Sequence, residues 1–139
     1  MSCFINPVEE DQCVFVTYEG ELPPVEIMAA RYEANGLVAR KRWNKIVVDI
    51  TCLRSQLTTM EWISLASDLS SDLPTSARVA LIVRQDQLTT AKLIERVARN
   101  EGVFLTYFSD AEQATTWLKG IKPLERTRRE PTTRLPKEE

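Results

Sequence analysis

Asp49, Thr51, Ser55 and Thr58 are the residues whose types and spacing offer most to chemistry. Asp49 closes the apolar run Ile46, Val47, Val48, at the carboxyl end of a strand-like segment, where open α/β sheets build their ligand sites. Thr51 and Ser55 add hydroxyls in the loop that follows. Thr58 stands at the head of a helical stretch, where unpaired N–H groups and the helix dipole favour added negative charge. The four together make a candidate contact site for a protein partner or small ligand. Thr58 is a candidate phosphoacceptor, and a phosphate there would change the local charge by about −1.5 to −2. The plainer alternative has Asp49 tying down its own turn and Thr58 only capping its helix.

Other chemistry is excluded by what the chain lacks. It contains no histidine, so no imidazole base, triad or imidazole metal ligand is available. Gly20, Gly36, Gly102 and Gly120 are its only glycines, and none belongs to a dinucleotide or P-loop motif. Cys3, Cys13 and Cys52 show no C-x-x-C spacing. They read as free thiols, with Cys13 and Cys52 acting as small hydrophobes in or beside apolar runs. A receiver-type role for Asp49 would need further acids after the first strand, but Glu9, Glu10 and Asp11 precede it. Trp43 follows Arg40, Lys41 and Arg42, which reads either as a basic–aromatic patch or as a solvated helix end. No catalytic residue, cofactor or metal site is expected, and the protein reads as a non-enzyme.

Those residues need elements to position them, and the composition supplies a core. The chain has 139 residues, 43% hydrophobic and 27% charged, with a net charge of −2. That is one domain's worth of sequence. The charge balance argues against nucleic acid as a partner. No apolar run approaches the ~20 residues of a membrane span. The opening residues lack a basic start and a long apolar stretch, so the cytoplasm is the expected compartment. The domain is expected over residues 1–120. Residues 121–139 carry three prolines and only three aliphatic side chains, with six basic residues against four acids. Such a stretch buries too little to offset its ordering entropy and reads as a disordered tail.

Within the body, strand-like and helical runs alternate. Residues 13–18, 45–50, 77–83 and 103–108 are apolar, β-branched or aromatic, and read as strands. Residues 3–8 could add an edge strand, where Pro7 is tolerated. Between them, Val25, Met28, Ala29 and Tyr32 are spaced as one face of a helix that starts near Pro24 and continues through Gly36. Thr58 and Glu61 form a capping box for a helix running to about Leu73. A third helix starts at Thr89 or Thr90. A fourth follows a second capping box at Ser109 and Glu112 and ends at Gly120. Strict alternation predicts an α/β domain with one mostly parallel or mixed sheet of four to five strands and flanking helices.

Two stretches resemble the small bacterial STAS and SpoIIAA-like proteins (the sulfate-transporter and anti-sigma-antagonist domain). Residues 107–118, from Tyr107 through Phe108, Asp110, Glu112 and Ala114 to Trp117 and Leu118, look like their closing signature. Val47, Val48, Asp49, Ile50 and Thr51 look like their central strand. The resemblance implies a regulatory, protein-binding role instead of catalysis. In anti-sigma antagonists a serine at the start of the helix after the central strand is phosphorylated, and that position corresponds to Thr58. The family's preceding acid is Leu57 here and its following glycine is Met60. The SpoIIAA-like branch also resembles the CRAL-TRIO lipid-exchange fold, which implies an apolar pocket and a carrier or sensor role for a lipid-like ligand as the alternative. A homodimer is compatible with either role.

Overall fold

Five apolar segments pair into one sheet. The structure, a computed structural model, describes residues 2–68 and 73–120. Its strands are β1 (Ser2–Val8), β2 (Cys13–Gly20), β3 (Lys45–Leu53), β4 (Arg78–Ile82) and β5 (Phe104–Phe108). Its helices are α1 (Pro24–Lys41), α2 (Thr59–Ser67), α3 (Leu88–Asn100) and α4 (Ala111–Lys119). The strands lie in chain order, β1-β2-β3-β4-β5. β2 to β5 are parallel, and β1 is an antiparallel edge strand pairing Val8 with Cys13 and Ser2 with Glu19. The expected α/β fold with a mixed five-stranded sheet is therefore the observed one. The tail over residues 121–139 lies outside the described residues, as does the stretch 69–72.

Chain order has a consequence for the layers. Each parallel crossover moves one place in the same direction, and right-handed crossovers then put all their helices on one face. Ile27, Ala30, Ala34 and Val38 of α1, Leu65 and Ala66 of α2, and Ala91, Ile94 and Ala98 of α3 share a core with Val14, Val16, Ile46, Val79, Leu81 and Leu105. Across the sheet, Ala114 and Leu118 of α4 pack with Cys13, Val47, Ala80 and Ile82. The sheet is covered by three helices on one side and by one on the other.

Local chemistry sets the ends of the elements. Pro24 occupies the first turn of α1, where its missing N–H costs nothing, and Arg42 closes the helix in the left-handed conformation. Gly36 lies inside the helix, as expected. Thr58 caps α2: its hydroxyl accepts from the Glu61 N–H at 3.1 Å, and the Glu61 carboxylate accepts from the Thr58 N–H at 2.8 Å. α2 is described to Ser67, with Asp68 as its cap. α3 begins at Leu88, after a short 3-10 turn over Gln85–Gln87. At α4 the expected cap shifts by one residue. Asp110, not Ser109, accepts from the Gln113 N–H at 2.8 Å, because the helix starts at Ala111 and Gln113 is its third residue, while the Ser109 hydroxyl donates to the Gln113 side-chain oxygen at 3.2 Å.

The buried face of α1 is a further correction. Val25, Met28, Ala29 and Tyr32 point to solvent, while Ile27, Ala30, Ala34 and Val38 face the sheet. Both stripes have helical spacing. The small side chains at 30 and 34 let the helix approach the strands closely, which Met28 and Tyr32 would prevent. Trp43 is also inside: it is buried under the Lys41 ammonium, which sits 5.0 Å from its ring and pairs with Glu9 at 2.6 Å. It forms no basic–aromatic surface patch.

Candidate functional site

β3 is the element that carries the candidate residues, and alternation along it separates them. Ile50 faces the three-helix core, whereas Val47 and Asp49 face the α4 side. The Asp49 carboxylate accepts from the Thr51 N–H at 2.9 Å and the Thr51 hydroxyl at 2.6 Å. These two residues form a closed turn on the α4 face, next to Thr17 and Ile82 in register. Ser55 is on the other side of the loop and donates to the Leu22 carbonyl at 2.6 Å. Thr58 is exposed and engaged in its capping box. The structure thus brings Asp49 to Thr51 and places Ser55 and Thr58 elsewhere along the same connection.

Open α/β sheets commonly build their ligand crevice where the chain order reverses, and here the strand order never reverses. Two crevices of about 430 Å³ each open instead beside the β3–α2 loop, on the three-helix side. They share residues 54–57. One lies against the start of α1, at Leu22, Pro23 and Pro24, with Glu21 and Glu61 at its sides. The other lies against the start of α3, at Arg84, Gln87 and Thr90. Consecutive helices on one face diverge where they leave the strand ends, so a gap follows each strand. Val25 in the first turn of α1 is 69% exposed, and Met60 in the first turn of α2 is 68% exposed. Both apolar side chains stand at this end of the sheet.

Arg84 is the residue that sequence reasoning missed. Its guanidinium donates to the carbonyls of Thr51 and Leu53 and pairs with Asp86 at 2.9 Å. The hydrogen bond from Arg84, with its positive charge beside it, holds the Asp86 carboxyl below the usual carboxylate range. Gln87 adds a bond from its side-chain N–H to the Ile50 carbonyl at 2.9 Å. The β4–α3 connection thereby clasps the end of β3. The available signal is an arginine directly after an apolar strand, two residues before an acid.

An apolar cavity of about 70 Å³ lies deeper, among Tyr18, Ile27, Val48, Trp62, Leu65 and Ile94. Trp62, Ile50 and Leu53 line both this cavity and the α3-side crevice. No cluster of three or more His, Cys, Asp or Glu residues suited to a metal occurs among the described residues. Nor is any described helix long and apolar enough to cross a membrane.

An antiparallel edge strand, four parallel strands in chain order and helices split three to one between the faces make a mixed α/β fold of the SpoIIAA-like kind. The chain is similar to a crystal structure of an uncharacterized protein of the DUF3478 family with a SpoIIAA-like fold, from Shewanella loihica. The TM-score is 0.57 at 16% identity, over 84% of this chain and 92% of that one. No protein-family model and no curated protein matches the chain. The likeness to the Shewanella protein establishes the fold that residues 107–118 and 47–51 suggested.

Proposed function

We propose that this protein is a non-catalytic, cytoplasmic regulatory module that binds a protein partner at the carboxyl end of its sheet. The observation that carries the reading is the crevice between the starts of α1 and α2. Its prolines and Leu57 supply a firm apolar wall, and Arg54, Ser55 and Glu61 supply polar groups. Val25 and Met60 bracket it as exposed apolar anchors. Rigid apolar side chains ringed by polar ones are the composition of a protein contact. Thr58 caps α2 at its edge, and phosphorylation there would add negative charge to the crevice. The STAS resemblance of residues 107–118 and 47–51 implies a regulatory role of this kind.

The alternative, a carrier of a lipid-like ligand, draws on the apolar cavity under Trp62. Its volume of about 70 Å³ is roughly half that of the engineered cavity of about 150 Å³ that admits benzene. A lipid would require helices on this face to part. The cavity therefore ranks the carrier reading second.

Affinity capture of the full chain from its own cells, with native mass spectrometry of what is retained, distinguishes the two. A protein partner is expected, and no lipid. The pair Val25→Glu and Met60→Glu lies on exposed positions and is expected to release the partner at least tenfold. Thr58→Asp keeps the cap and is expected to shift binding several-fold, whereas Asp49→Asn, in its closed turn on the α4 face, is expected to leave binding unchanged. Equal retention by the Val25, Met60 and Thr58 variants would remove the proposed site. Co-purified lipid without a protein partner would favour the carrier.

A further inference from the structure

At the opposite pole of the sheet, the first residues of β2, β3, β4 and β5 form a row: Cys13, Lys45, Arg78 and Phe104. Lys45 is only 8% exposed, and lysine is seldom buried to that degree unless paired. Among the described residues its ammonium makes no hydrogen bond or ion pair. Arg78 beside it is turned to the Ser76 and Ala77 carbonyls and to the ring of Phe104. Cys13 offers no counter-charge, because burial pushes its thiol up to about 12 and keeps it neutral.

The lysine lines a pocket of about 370 Å³ between the β1–β2 turn and the end of α4. Phe15 and Leu118 form apolar wall, and Lys119 adds a second cation. Glu10 and Asp11, both exposed, stand on the turn. The stem of Lys45 is buried while its ammonium opens on the pocket, where it offers a counter-charge to an anion. Acids at the rim repel a dianion such as phosphate more than a monoanion, and favour a monoanion that also carries an ammonium.

We propose that this pocket binds a small organic monocarboxylate with an apolar body, its oxygens on Lys45 and its apolar part against Phe15 and Leu118. An apolar amino acid matches the lysine, the apolar wall and the acids together, with its ammonium toward Asp11 and Glu10. The site is separate from the partner surface at the other pole and does not depend on that reading.

Titration of the ¹⁵N-labelled full chain with phenylalanine, phenylacetate and phenethylamine tests the proposal. Phenylalanine and phenylacetate are expected to shift the amides of Cys13, Phe15, Lys45 and Leu118, and phenethylamine is not. Lys45→Met keeps the aliphatic stem and is expected to weaken both carboxylates at least tenfold. Asp11→Asn, at an exposed turn position, tests the site without burdening the fold. It is expected to tighten phenylacetate and weaken phenylalanine, each a few-fold. Absence of carboxylate binding in the wild type, shifts that map elsewhere, or affinities unchanged in both variants would overturn the proposal.

Discussion

Cys13 and Cys52 lie in or beside strands of similar composition, yet their environments differ. Cys52 is exposed on β3, contrary to the expectation of a packed hydrophobe, while Cys13 is buried beneath the end of α4. Burial first, and the Asp11 charge second, raise the Cys13 thiol from 9.0 to about 12, and Lys45 and the Val47 backbone pull the other way. The unfolded chain therefore loses this proton before the folded one. The Cys13 contribution to stability is complete below about pH 9 and is lost as pH rises toward 12, by at most ~1.4 kcal/mol per pH unit. Cys3 and Tyr18, also raised by burial, act in the same direction. Urea denaturation from pH 8 to 11 is expected to show falling stability, and Cys13→Val to flatten part of the fall. An unchanged slope in that variant would mean that Cys13 is open to solvent. Iodoacetamide at neutral pH is expected to label Cys52 first.

At the scale of elements, α4 and α1 solve the same packing problem with different clarity. α4 has one apolar stripe, at Ala114, Trp117 and Leu118, and that stripe meets the sheet. Trp117 is half-buried and packs against Phe104 and Phe108, with ring centroids 5.9 and 5.6 Å apart. Trp117→Ala is expected to cost about 3 kcal/mol, the lower end of the range for large aromatic truncations, since the indole is not fully enclosed. Single alanine changes in the loop over residues 51–56 are expected to cost less. A loss below about 1 kcal/mol on chemical denaturation would make Trp117 a surface residue. α1 has two stripes of equal periodicity, and spacing alone could not rank them. Close approach to the strands selected the one with alanines.

For the whole molecule, the chain through Gly120 closes a sheet with helices on both faces and its own caps. The apolar-poor residues 121–139 are expected to add little to that core. A chain ending at Gly120 is expected to melt within a few degrees of the full chain. A large drop would mean that the tail contributes to the packed body. Singly wound order also relocates the functional geography. Without a reversal point, one end of the sheet presents inter-helix crevices and the other the Lys45 pocket.

What could be read from the sequence was local. Alternation of apolar runs determined the number and kind of elements. Thr58 with Glu61 and Pro24 with Gly36 marked helix starts and continuation, and the absence of histidine and of glycine motifs bounded the chemistry. These features depend on residues within one or two turns of each other. Other features depend on pairings between residues far apart in the chain. Only the tertiary structure decided that β1 runs antiparallel, that α1 buries its alanine stripe and that Arg84 clasps β3. It also decided that Asp49 and Ser55 part company. Lys45 shows the limit best. In sequence it is a polar residue opening a strand, and only the row formed by neighbouring strands, with α4 laid over it, makes it a cation on a buried stem facing a pocket.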